Sequence, residues 1–373
     1  MRTATALSSV VCGLVLGAGT ASATPALPRP LERIIEDADL VVVAKLTKKP
    51  AHPRDAFTAD VKETLKGRAP SGTLTAKAAD VFEGCIPPPL GESRPSPASI
   101  EGRGDRVVLF LGADGESRDP IVLAAGEVAI PWIVGDRPAS EAPDAVRALV
   151  ALDAEKDDAL AATLWTKGLA EGNALTVACL LHRMIFAARS PEETTASLGV
   201  RVAAAARAQF ALGKEKLIAD ATRLAASADV ELRRAAIRAA FACLYAGAVA
   251  PGPAFDALRD VCRAASRADD LGVRDDAVLC LAQARDPELP DRLLAAMKKR
   301  PLEAKDVRVG AVGRMLLFTA YPDRERDFLA AAVAMLDDPA IEHVGVETLE
   351  MLTGQCIGDA DMWRAWWKKR EAK

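Results

Sequence analysis

Two rhythms of hydrophobic and polar positions divide the chain. Between residues 39 and 134 the apolar positions come in alternation and in short runs. Phe57, Ala59 and Val61 alternate with polar neighbours, the period of a strand with one buried face. Val41-Val42-Val43 and the run VVLFL at 107–111 are continuously apolar, which suits strands covered on both sides. The pattern predicts strands over 39–46, 56–65, 72–78, 105–112, 119–126 and 129–134, punctuated by Gly67, Pro70, Gly72, Gly112, Gly115 and Gly126. Many short strands in so small a span predict a small all-β barrel or sandwich, because closure protects strand edges.

Beyond a polar, Pro-containing stretch at 139–143 the period changes to that of a helix. Segments 143–154, 157–170 and 174–188 read as helices. Ser190-Pro191 followed by Glu193 is a helix-start signal, with Ser as cap and Pro in the first turn. One phrase then recurs: an aliphatic residue, Arg, two variable residues, a small residue, and an apolar residue four further on. It starts at Val200, Leu232, Val273, Val307 and Ile341, in steps of 32, 41, 34 and 34 residues. Arg follows at Arg201, Arg233, Arg274 and Arg308, with Glu342 breaking the rule. The small residues are Ala204, Ala236, Ala277, Ala311 and Gly345. Offsets 0, 4, 8 and 11 fall within about 80° on a helix, so each phrase makes one narrow apolar stripe whose small residue admits a neighbour closely. Asp229, Asp270 and Asp338 stand three residues before their starts, where a carboxylate caps free backbone N–H groups. Second amphipathic segments lie between, at 214–227, 254–266, 290–299 and 326–336. Each unit is thus a helix pair that cannot bury its stripe alone and must stack on the next.

The wording D-x-x-[VL]-R-x-x-A in this series resembles HEAT-type repeats of the armadillo/HEAT superfamily. The closing segment 352–373 resembles the end of many bacterial HEAT-repeat proteins: Thr353-Gly354, then an Asp359-started helix with Trp363, Trp366 and Trp367 on one face. Those tryptophans are read as a hydrophobic lid on the last repeat. In the first half, ADLVVVAKL, FTADVKETLKG and GDRVVLFLGADG resemble bacterial secreted domains of the netrin-like (TIMP-like) group. That resemblance implies an OB-like barrel. Its best-known activity, metalloprotease inhibition through an N-terminal Cys, does not carry over. The mature chain would begin at Thr24, and Cys85 is the only thiol of that domain.

The first 23 residues read as a secretory signal: Arg2, an apolar stretch from Ala6 to about Ala18, then Ala21-Ser22-Ala23. The apolar stretch is short for a membrane span, which takes about 20 residues. Export to the periplasm or outside is therefore expected, without a transmembrane segment in the mature chain. The expected layout is a signal peptide at 1–23, a linker at 24–30, the netrin-like/OB-like β domain at 31–141, connecting helices at 142–190, and a HEAT-like repeat domain at 191–373. In fold class this is a multidomain chain, a small all-β OB-like barrel followed by an all-α HEAT-like solenoid of helix pairs.

Composition narrows the chemistry. Lys plus Arg is 48 against 52 for Asp plus Glu, so a strongly basic nucleic-acid binder is not the default and no nucleic-acid partner is expected. Only His52, His182 and His343 are available as imidazole ligands, and no CxxC pair occurs. Without Cys12 six cysteines remain, and an oxidising compartment permits disulfides. Most of the six are read as small buried hydrophobes, and one pair among Cys243, Cys262 and Cys280 is the candidate bridge, because neighbouring helices could bring them together. There is no G-x-S-x-G elbow, no phosphate-binding loop and no dinucleotide fingerprint, so neither a catalytic residue nor a cofactor is assigned. Cys179 and His182 are read as core residues of an apolar helix. The first functional expectation is a non-catalytic scaffold that binds a protein partner along the second helices of the solenoid. Its candidate contact residues are Arg259, Arg263, Arg292 and Arg326, expected to be replaceable without harm to folding. A protease inhibitor acting through the barrel and its Pro/Gly/Ser-rich loop at 83–104 is the alternative, and an enzyme at the domain junction the third reading.

Overall fold

A computed structural model of the chain describes residues 31–48, 56–69, 72–78, 106–113, 116–122, 127–129, 136–298 and 320–371. The expected signal segment, the 83–104 loop, Cys12, Cys85, His52 and the repeat phrase at Val307 lie outside them. The chain is a small N-terminal antiparallel sheet followed by a mostly helical region, and it divides into two compact units, residues 1–221 and 222–373.

In the first unit the continuous apolar runs become the strands with two neighbours. β1 (Leu40–Lys48) lies between β2 (Ala56–Lys66) and β4 (Arg106–Leu111), and β3 (Thr73–Ala78) pairs with the far side of β2, all antiparallel. β5 (Glu116–Val122) pairs antiparallel with β4 and touches β3 in parallel at two residue pairs. A short hairpin, β6 (Glu127–Ala129) and β7 (Asp136–Pro138), follows. One face carries Val42, Ala44, Phe57, Ala59, Leu74 and Leu109 into a common core. Val41, Val43, Val108 and Phe110, from the other face, are buried as well. The strand expected at 119–126 instead begins at Glu116. Pairing of Leu111 with Ser117 and of Val107 with Val122 sets its register, and backbone ladders are indifferent to the polar side chains of residues 116–119.

Helix α1 (Leu31–Asp37) precedes the sheet, and seven residues are too few for a helical period to show in the sequence. The helices expected next are present as α2 (Ala142–Ala154), α3 (Asp158–Glu171), α4 (Ala174–Ala187) and α5 (Pro191–Leu198). Ser190 Oγ accepts the Glu193 N–H as a cap, and Asn173 and Asp157 cap α4 and α3. Leu175 through Ala187 are all buried, so α4 is the central helix, packed by α2, α3 and α5. Gly168 permits this, since a Cβ there would lie 2.4 Å from Leu180 Cδ1. Trp165 Nε1 donates to the Leu180 carbonyl at 3.2 Å.

Helix α6 (Val200–Leu224) differs from expectation. The first phrase was expected to be a helix pair with a second helix from 214. Instead one helix runs through Gly213, and Val200 is exposed. A lone Gly costs a helix about 1 kcal/mol, which Lys214-Glu215-Lys216 and the packing around it outweigh. The start of α6 is closed from far away. Glu36 Oε1 accepts the Arg201 N–H at 2.9 Å, reaching across from α1. The fit needs Gly199: its φ is +87°, and a Cβ there would sit 1.3 Å from Glu36 Oε2. Lys66, at the end of β2, closes the other end of α1 by donating to the Ile35 and Ala38 carbonyls, each at 2.6 Å.

The second unit contains α7 (Val230–Tyr245), α8 (Pro253–Ala265), α9 (Leu271–Gln283), α10 (Leu289–Lys298), α11 (Glu325–Met335), α12 (Glu342–Thr353) and α13 (Ala360–Glu371). Among them α7 packs on α9, α8 on α9, α9 on α10, α10 on α11, α11 on α12 and α12 on α13. Two repeats share one device. Asp229 Oδ1 accepts from Glu231 N and Leu232 N at 3.0 Å, and Asp270 Oδ1 from Val273 N at 2.8 Å. The repeat arginines then fold back on the preceding turn: Arg233 Nε donates to the Ser227 carbonyl at 2.7 Å, and Arg274 Nη2 to the Ala268 carbonyl at 2.7 Å. At the phrase with Glu342 in place of Arg, Asp338 Oδ1 accepts the Ala340 N–H at 3.1 Å. In α7, α9 and α12 the small residues do what the stripe requires, whereas in α6 the stripe positions Val200, Ala204 and Ala211 are exposed. Ala236 and Ala277 are fully buried, and a Cβ on Gly345 would lie 2.8 Å from Leu336 Cδ2 and 3.1 Å from the Ala332 carbonyl. Trp363 and Trp367 close this end over Leu329, Ala332, Leu336 and Leu349, as a lid does.

Replacing Gly199 by Ala should cost about 3 kcal/mol, from backbone strain together with the loss of the Glu36 cap. Gly247, whose φ is +67° with open space around it, should lose only about 1 kcal/mol on the same change. Urea unfolding followed by circular dichroism checks the pair; equal losses would mean that Glu36 does not hold the start of α6.

Candidate functional site

The four arginines expected to face a partner occupy different situations. Arg263, on α8, is built into the protein. Its Nε lies 2.5 Å from Asp286 Oδ2, its Nη2 3.2 Å from Glu288 and its Nη1 3.4 Å from Asp260. The Asp286 side chain has no exposure. Its Oδ1 accepts the Glu288 N–H, and its backbone carbonyl takes the Tyr321 hydroxyl at 2.7 Å. Burial beside Asp286 pushes the Tyr321 phenol well above its usual range. Arg263 thus joins α8 to the turn that opens α10. Reversing Arg263 would act on more than a surface, because its partner is a carboxylate cut off from water.

Arg292, on α10, is also drawn inward. Its Nη2 donates to Ser266 Oγ at 2.5 Å. Burial, with Arg267 beside it, pushes its guanidinium pKa down. Arg259 pairs with Asp256 on its own helix at 2.8 Å and lies over the Phe255 ring at 5.8 Å. Arg326, on α11, is exposed, at the edge of a shallow cleft of about 290 Å³ shared with Asp323, Trp367 and Arg370. The structure therefore brings Arg263 and Arg292 close to one another and leaves Arg326 as the candidate most open to solvent.

Cys243, Cys262 and Cys280 are buried, and no disulfide joins them. Cys179 and His182 are buried on α4, as expected of core residues. Burial, reinforced by Glu32, holds the Cys179 thiol well above its usual pKa, away from the thiolate that attack requires. His182 Nδ1 lies 3.3 Å from Glu32 Oε1, and its ring packs on Phe186. Its neighbour Arg183 is fully buried, with Nη1 2.6 Å from Asp153, Nη2 2.9 Å from Gln209 and the guanidinium over Trp165. His343 is exposed, as its place in the repeat predicts.

The sequence reading missed a cleft in the first unit. About 250 Å³ in volume, it has apolar walls that include Ile35, Val150 and Val202, and it is lined by Glu36, Lys66, Asp153 and Arg201. Burial raises the Asp153 carboxyl and lowers the Lys66 ammonium, the latter helped by Arg201. The Lys66 protons are spent on the α1 carbonyls, and one Asp153 oxygen is held by Arg183. These residues come from α1, β2, α2 and α6, singly and at no fixed spacing, so no local signal could have assembled them. Among the described residues no group of three or more His, Cys, Asp or Glu side chains is placed to hold a metal ion. None of the described helices is long and apolar enough to cross a membrane. The chain matches no protein-family model, no curated protein and no solved structure.

Arg263→Glu should destabilise the second unit by about 3 kcal/mol, since it strands Asp286 against a second negative charge. Arg326→Glu should change stability by less than about 0.5 kcal/mol. Chemical denaturation of both variants checks this; a neutral Arg263→Glu would show that Asp286 is reached by water.

Proposed function

We propose that this is a non-catalytic exported protein that binds a protein partner, with a HEAT-type stack of helix pairs as the contact surface and a netrin-like, OB-type barrel at its N-terminal end. The observation that carries the reading is the device shared by α7 and α9. In each, an Asp three residues before the phrase caps the helix, and the phrase arginine clamps the turn before it. Residues with the same sequence position do the same physical work, as a true repeat requires. Helices that pack mainly on their near neighbours in sequence support the same reading. The strand order β1-β2-β3-β5-β4, in which β4 pairs again with β1, supports the barrel. The signal-like segment at 1–23 supports export.

The contact surface is narrower than the sequence suggested. Arg263 and Arg292 are occupied inside the protein, so Arg326 with the cleft beside it, and Arg259 on α8, are the positions left to meet a partner. An extended polypeptide with acidic side chains suits them. The test places a photo-crosslinking residue at 326 in the full chain and identifies the trapped protein in the exported fraction. That partner, purified, should bind the wild-type chain and lose at least tenfold in affinity to Arg259→Glu/Arg326→Glu, with helical content unchanged. Undiminished affinity for the double variant would place the contact elsewhere.

A further inference from the structure

Three cysteines from three successive helices are buried in the core of the second unit. Cys243 on α7, Cys262 on α8 and Cys280 on α9 are each exposed by 1% or less. Cys262 and Cys280 line one narrow void with Leu244, Phe255, Leu258, Arg259 and Leu281, and the void is too small to admit water. The neighbouring Cys262 thiol and burial push the Cys280 thiol well above its usual pKa, with Cys243 adding to the effect. No metal-holding group of side chains exists among the described residues to account for the cluster. A single buried thiol is an ordinary small hydrophobe. Two on different, directly packed helices that line one void share a place where their sulfurs can be brought together.

We propose that Cys262 and Cys280 are a disulfide-forming pair, a covalent staple between α8 and α9 that closes while the chain is open and is then sealed inside the core. The reaction takes a low-molecular-weight disulfide as oxidant. The thiolate of one cysteine attacks that disulfide, forms a mixed disulfide and releases one small thiol. The thiolate of the other attacks the protein sulfur of the mixed disulfide, forms the Cys262–Cys280 bond and releases the second small thiol. The protein loses two electrons and two protons, and the reagent gains them. In the folded protein the Cys262 thiol and burial hold the Cys280 thiol well above its usual pKa. Thiolate is therefore scarce and exchange slow in either direction. The staple belongs to folding, and the finished core protects whichever state it encloses. This inference is independent of the partner surface and of the compartment.

The test uses the full chain, unfolded and reduced, then refolded in a buffer of reduced and oxidised glutathione. Free thiols are alkylated in denaturant, and the protein is digested and mapped by mass spectrometry. The expected product is one peptide pair joined through Cys262 and Cys280, with a mass loss of about 2 Da for the bond and Cys243 alkylated. Cys243→Ala should keep that bridge, and Cys262→Ala and Cys280→Ala should each abolish it. The bridged protein should melt at a higher temperature than the reduced one, with the difference absent in Cys280→Ala. Alkylation of both Cys262 and Cys280, glutathione retained on either, or a bridge through Cys243 would each overturn the proposal. To keep the answer independent of refolding yield, the reduced protein is also incubated with cystamine at the urea midpoint of unfolding, where the open chain is populated; the same joined pair is expected to accumulate there, and its absence counts against the staple.

Discussion

The structure rests on how its helix ends are satisfied. Each helix leaves four N–H groups and four carbonyls without internal partners, and a chain of many short helices multiplies that cost. Here charged side chains meet it, and several come from far away in sequence. Glu36 closes the start of α6, Lys66 the end of α1, and Glu141 the start of α4 by accepting the Leu175 N–H at 2.7 Å. Arg207 takes the Arg189 carbonyl beyond α4, and Arg364 the Leu336 carbonyl beyond α11. Arg233 and Arg274 do the same for the turns before α7 and α9. Every such contact fixes the angle at which one element leaves another, so the caps settle the packing as well as the ends.

This use of charge explains why the arginine face is less available than its composition implies. Asp286 and Arg263 are chosen for each other: the carboxylate is buried, the guanidinium spans three acids, and neither is free to meet a partner without leaving the other stranded. Arg183 repeats the arrangement in the first unit, neutralised by Asp153 and stacked on Trp165. A balanced overall charge is what a protein needs when its ions are spent on its own architecture.

Small residues set the other half of the design. Alanine at Ala236 and Ala277 and glycine at Gly345 bring helices together until backbone and side chain touch. Cysteine works in the same economy, as a side chain little larger than Ala that fills a narrow seam. The packing of α8 on α9 also sets Cys262 and Cys280 along one narrow void.

Local regularities were legible in the sequence because short-range physics governs them. Alternation marked β2, continuous apolar runs marked β1 and β4, and an Asp three residues ahead of a repeated phrase marked the starts of α7 and α9. Ser190 and the tryptophan stripe could be read for the same reason, since a cap or a helical face needs only a few neighbouring residues. Three features were not legible. Helix α1 is too short to show a period. The unbroken course of α6 depends on packing that outweighs Gly213. The occupied state of Arg263 depends on Asp286, which the chain delivers from 23 residues away. The sequence by itself determined the class of most elements and, for α7 and α9, where they start and which face is apolar. The tertiary structure alone decided which charges are spent inside and which remain outside, because desolvation belongs to a place in the fold and to no residue type.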